Sequence, residues 1–143
     1  MTDTHLPERL AEFREEFLEL PQEDRLELLL EFSAELPPVP DYLAGKQELY
    51  ERVAECQSPV FIHIEVNDGV VAMHATAPVD APTTRGFASI LAQGITGLTA
   101  DEVLAIPGDY PQTLGLTKSV SPLRIGGMTG MLVRAQRQVR AKR

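Results

Sequence analysis

The chain has 143 residues, of which 43% are apolar and only 6% aromatic, with no Trp. That length suits one domain, residues 1–143, whose core rests on Leu, Val, Ile and Ala, and the apolar content excludes a disordered chain. The net charge of −8 repels phosphate backbones and anionic lipid, which argues against nucleic acid and membrane surfaces as partners.

The first residues, Met1 to Glu8, carry neither a basic nor an apolar stretch of the secretory kind, and no run reaches transmembrane length. With a single cysteine, an internal disulfide is impossible, and a reducing, cytoplasmic setting is expected. Leu6, Leu10, Phe13 and Phe17 recur at helical spacing, which predicts an amphipathic helix broken at Leu20 and Pro21. A second helix is predicted over residues 22–36, with Leu26, Leu29, Leu30, Ser33 and Leu36 on its buried side, ended by Pro37, Pro38 and Pro40. Residues 41–55 read as an irregular lead-in to Cys56.

Val60, Ile62, Ile64 and Val66 alternate with other residues, the pattern of a half-buried strand. Asn67, Asp68 and Gly69 form a turn signal, and residues 70–76 return as the second strand of an antiparallel hairpin. A lone hairpin is marginal, so a third strand or helix packing is required. Phe87, Ile90, Leu91 and Gly94 trace a further helix. Thr99 and Glu102 form a capping box before a short helix that Pro107 stops. Residues 108–120 read as loop. Ser121 and Pro122 are a cap and first helical position, and Met128, Met131, Leu132, Ala135 and Val139 give the last helix its apolar face. Gly126, Gly127 and Gly130 reduce the stability of that helix, which predicts first turns that are either tightly packed or frayed. Arg134, Arg137, Arg140, Lys142 and Arg143 read as a solvated basic end suited to the helix dipole. The whole is α+β, a small antiparallel sheet packed against N- and C-terminal helices.

Cys56 lies just before the first strand, and Pro59 restrains its loop by holding Ser58 extended. A free cysteine often serves as a small buried hydrophobe. Against that, the flanks Glu55, Gln57 and Ser58 are polar, and Cys56 sits off the strand's apolar face. Cys56, His63 and Asp80 are the residue types of a cysteine hydrolase, but no hydrolase signature surrounds them. His5, His63 and His74 are the only histidines, and one cysteine with the two on the facing strands, His63 and His74, falls short of a closed zinc site unless carboxylates join, so no metal is expected.

The segment from Glu55 to Phe61 resembles the motif of the SufE family of cysteine desulfuration proteins, Gly-Cys-x-Ser-x-Val-Trp leading into a strand. Cys56, Ser58 and Val60 match, Phe61 takes the aromatic place, and Glu55 stands where many members have glycine. Residues 26–37 are similar to the family's second helix, Asp80, Ala81, Arg85, Gly86 and Phe87 to its Asp-Ala and Lys-Gly-Leu segment, and residues 121–128 to the start of its last helix. The ordered matches cover roughly residues 10–140. The resemblance implies a SufE/NifU-like fold and a persulfide carrier: Cys56 receives sulfur from a SufS-like cysteine desulfurase and passes it to a SufBCD-like iron–sulfur scaffold. Such a protein is a sulfurtransferase-like accessory rather than an independent enzyme, and pyridoxal phosphate belongs to the partner, so no cofactor of its own is expected. It also implies Arg124 as an anion stabiliser or partner contact, and Ser58, Asp80 and Arg85 as partner surface. Read on their own, Arg124 suits a surface arginine, Asp80 an Asx-type turn and Arg85 a solvated helical charge. An iron–sulfur scaffold, or a binding partner with a merely packed cysteine, remain the other readings. Glu55 beside the thiol should raise its pKa, and a carrier thiol is expected to be partly shielded until docking.

Overall fold

The structure, a computed structural model, describes residues 6–143; His5 and the start of the N-terminal stretch lie outside it. Helix α1, Glu8–Glu19, buries Leu10 and Phe17, and Leu20 turns extended (ψ 149°) before Pro21. Helix α2, Gln22–Ala34, follows at once. The two are joined by aromatic contacts, Phe13 edge-on to Phe32 at 5.0 Å and Phe17 stacked on it at 5.8 Å. The buried side of α2 is Leu29, Phe32 and Ser33, and Leu36 just past its end is buried as expected. Leu26 and Leu30 are 36% and 39% exposed. A helix wedged against α1 and the helix over residues 82–95 buries one i, i+3, i+4 row, and the flanking leucines fall outside it.

Residues 41–55 are more ordered than the sequence suggested. They hold two single 3-10 turns, Asp41–Leu43 and Gln47–Leu49. They then supply strand β1, Glu51–Arg52, paired antiparallel with strand β2, Phe61–Asn67, through Glu51 to Ile62 and Arg52 to Phe61. This is the third strand the hairpin needs. Strands β2, Phe61–Asn67, and β3, Val70–Thr76, pair with Ile64 opposite Met73, and the sheet order is β1-β2-β3. Asp68 and Gly69 make the tight turn with φ of 54° and 79°, the left-handed pair that a two-residue hairpin favours.

Ile62, Ile64, Val71, Met73 and Ala75 face the core, against α3, Pro82–Ile95. The capping box forms: the Glu102 backbone N–H donates to Thr99 Oγ1 (3.2 Å), and the Thr99 N–H to Glu102 Oε1 (2.9 Å). It opens α4, Ala100–Leu104. The stretch read as loop contains a 3-10 segment, Tyr110–Leu114, pinned to α1 by the buried Tyr110 hydroxyl on the Leu10 carbonyl (2.7 Å). Five residues are too few to show a helical period. Helix α5, Pro122–Lys142, starts on a Ser121 cap and lays its apolar face across β2 and the earlier helices. The fold is α+β. Among the described residues no helix is long and apolar enough to cross a membrane.

Candidate functional site

Cys56 sits in the loop between β1 and β2. Two backbone bonds close that loop, Val53 N–H to the Val60 carbonyl (2.9 Å) and Cys56 N–H to the Val53 carbonyl (3.1 Å). The closed loop lies flat on α5, and the glycines of that helix form its seat. A methyl group at Gly127 would come within 2.9 Å of Cys56 Sγ, and one at Gly130 within 2.6 Å of the Glu55 carboxyl carbon. Each glycine weakens a helix interior by about 1 kcal/mol relative to alanine; here the missing side chains are what let the thiol reach the helix backbone.

Only 6% of Cys56 is exposed. Burial, and then the Glu55 carboxylate, push its thiol up to about 11, with Arg134 and Arg52 pulling weakly the other way. The sequence anticipated the sign of the Glu55 effect, but burial is the larger cause. At neutral pH the seated group is therefore a thiol and a poor nucleophile. It is not sealed among aliphatic side chains. It borders a pocket of about 170 Å³ whose walls include Ser58, Asp80, Thr83, Leu123 and Arg124.

Of the residues singled out in the sequence, Cys56, Ser58, Asp80 and Arg124 thus share one pocket. Arg85 does not line it. Its guanidinium turns inward and donates to the Ala77 carbonyl (2.6 Å) and the Ser33 carbonyl (3.1 Å). It fastens the β3–α3 connection to α2 rather than standing solvated. The turn before α3 is closed by backbone, Ala81 N–H to the Pro78 carbonyl (3.1 Å), so the Asx-type turn read at Asp80 does not form. The Asp80 and Arg124 side chains make no hydrogen bond among the described residues, and both are exposed to the pocket mouth.

No histidine lines this pocket. His63 and His74 stack on the sheet's other face with ring centres 6.2 Å apart, where His74 Nε2 meets Glu65 Oε1 at 3.0 Å. Among the described residues no group of three or more His, Cys, Asp or Glu is placed to hold a metal ion.

The basic end of α5 is not simply solvated, which corrects the sequence reading. Arg134 donates to Glu55 Oε1 from two nitrogens (2.9 and 3.1 Å) and to Glu51 Oε2 (2.7 Å). Arg137 also pairs with Glu51, and Arg143 with Asp101. Lys142 donates to the Ile64 carbonyl (2.6 Å). Sequence reasoning missed Arg134 and its glutamates because it pooled five cations into one helix end. The signal was present: Gly127, Gly130 and Arg134 follow i, i+3, i+7 spacing and so share one helix face.

Comparison with known proteins points the same way. A model of the SufE family, described as an Fe-S metabolism associated domain, matches residues 11–139. A SufE-like protein of Mycobacterium tuberculosis is 48% identical over 136 residues, covering 94% of each chain. A SufE-like protein of Synechocystis is 31% identical over 128 residues, covering 89% of this chain and 77% of its own. The solution structure of a hypothetical protein from Thermus thermophilus superposes with a TM-score of 0.82 at 38% identity, covering 95% of this chain and 96% of that one.

Proposed function

Because the chain belongs to the SufE family of Fe-S metabolism associated domains, we propose that Cys56 accepts sulfur as a persulfide from a cysteine desulfurase and carries it toward iron–sulfur cluster assembly. The observation that supports this best is the placement of Cys56: a covered thiol at the margin of the core, seated on Gly127 and bordering a polar pocket. In the transfer, Cys56 gives up its proton and its thiolate attacks the outer sulfur of the donor persulfide. A new S–S bond forms at Cys56 and the donor's S–S bond breaks. The donor cysteine leaves as a thiolate and takes up a proton, so no net oxidation occurs. Pyridoxal phosphate acts in the donor enzyme, where it releases the sulfur from L-cysteine.

The chain's own groups suit the acceptor half. Arg124 at the pocket mouth supplies a cation for a persulfide anion or a partner carboxylate, and Ser58 and Asp80 offer polar contacts beside it. A second thiol near Cys56 would collapse the persulfide to a disulfide and release the sulfur; the sequence contains none. From Cys56 the sulfur passes to a SufBCD-like scaffold. No observation favours the scaffold role for this chain itself.

The test uses a SufS-like desulfurase turning over L-cysteine. Unloading the enzyme's persulfide should raise its rate of alanine formation when the wild-type chain is added, and the Cys56→Ser variant should not. Equal stimulation by Cys56→Ser would remove the acceptor role from Cys56.

A further inference from the structure

Glu55 stands where the family motif has glycine, and its carboxylate fastens the cysteine loop to the rest of the fold. Among the described residues, the Glu55 side chain makes the only hydrogen bonds that leave residues 54–59 for another element. The other loop bond, from the Cys56 N–H to the Val53 carbonyl, ties the loop to its own base beside β1 and does not hold it on α5. Arg134, by contrast, is held independently. Its Nη1 donates to Glu51 Oε2 at 2.7 Å, and Glu51 is steadied on its other oxygen by Gln138 Nε2 at 2.9 Å. The frame of β1 and α5 therefore keeps Arg134 in place whether or not Glu55 is bound.

We infer that the Glu55–Arg134 ion pair is a clasp that holds the Cys56 loop shut on Gly127 and Gly130 of α5, so that Glu55 and Arg134 are positioning residues for the thiol. Opening breaks one ion pair and leaves the β1–α5 network intact. Glu55 is the more exposed member, with 47% of its side chain open against 22% for Arg134, so the loop side of the clasp is the side that water and a docking partner reach. The pair is weak enough to open at thermal cost, as partly exposed ion pairs are. It also couples exposure to ionisation: a loop that leaves the helix loses the burial that is the main cause keeping the sulfur protonated. The inference rests on the reading of Cys56 as the sulfur-accepting residue.

A rival reading has Glu55 and Arg134 act on Cys56 only through their charges. The two readings differ in sign at Arg134. As a bare cation near the sulfur, Arg134 favours thiolate, so its loss would slow alkylation. As the fixed half of a clasp, its loss opens the loop and speeds alkylation. The measurement is the rate at which neutral iodoacetamide modifies Cys56 near neutral pH in the wild type, Glu55→Gln, Arg134→Gln and Arg134→Lys. Cooperative thermal unfolding confirms that each variant is folded.

Arg134→Gln is expected to react about two- to fivefold faster than the wild type, the range set by an exposed ion pair. Arg134→Lys, which keeps the charge but loses the two-nitrogen grip, should also be faster. Glu55→Gln should be faster still, since it removes both the clasp and the nearby anion. A slower or unchanged Arg134→Gln overturns the clasp. Should that variant not fold, an unchanged Arg134→Lys does the same. Iodoacetamide requires no desulfurase. A failed clasp therefore leaves sulfur acceptance standing, and a Cys56 that takes no sulfur leaves the clasp result standing.

Discussion

The Cys56 thiol ionises near pH 11 in the folded chain, against an ordinary value of 9.0, and this difference links folding to pH. Its folded pKa is raised, so the unfolded chain gives up the proton first as pH rises. The stabilisation is whole below about pH 9 and is lost progressively between about pH 9 and pH 11. Stability should therefore fall more steeply across that window in the wild type than in Cys56→Ser, by on the order of 2 kcal/mol, read from urea midpoints at each pH. Neighbours in sequence disclosed only part of this chemistry. Glu55 beside Cys56 showed which way the thiol would move. The larger cause, burial against Gly127, depends on a helix more than sixty residues away and leaves no mark on the loop itself. Arg85 shows the same limit. A helical arginine near a candidate site looks solvated until its two carbonyl acceptors, on Ser33 and Ala77, come into view.

Element by element, what the sequence disclosed follows the length of each period. The seven-residue strands β2 and β3 alternate for long enough to be read, and the capping box of α4 is a local pattern with a local cause. Strand β1 has two residues, too few for any alternation, and was hidden in an irregular stretch. Its shortness has a consequence. Beyond Ile62, β2 has no strand on its β1 side, and α5 side chains take over the ladder. Gln138 Oε1 accepts the Ile64 N–H at 2.9 Å, and Lys142 donates to the Ile64 carbonyl. Gln138→Ala strands the buried Ile64 N–H and also takes a partner from Glu51. It is expected to cost about 1–3 kcal/mol in urea unfolding, the penalty of an unpaired buried donor. A loss within error of zero would show that the α5 contact does not complete the sheet.

Across the whole molecule, the charge of −8 is unevenly spread. Acids crowd α1 and α2, and Arg134, Arg137 and Arg143 pair with Glu51, Glu55 and Asp101. Partial burial and then the carboxylates of Glu35, Glu12, Glu19 and Glu31 hold the Glu16 carboxyl above its usual range. Glu16→Gln is therefore expected to raise the unfolding free energy in urea slightly at neutral pH, by less than about 0.5 kcal/mol because water screens these exposed groups. The acidic face and the cysteine pocket are separate, so charge reports on solubility and approach while the pocket carries the chemistry. The most direct test of that chemistry is the mass of the intact chain after mixing with one equivalent of persulfide-loaded desulfurase. The expected result is the gain of one sulfur atom, located on the peptide that holds Cys56 and absent from Cys56→Ser. No gain in the wild type, or the same gain in Cys56→Ser, would contradict the account.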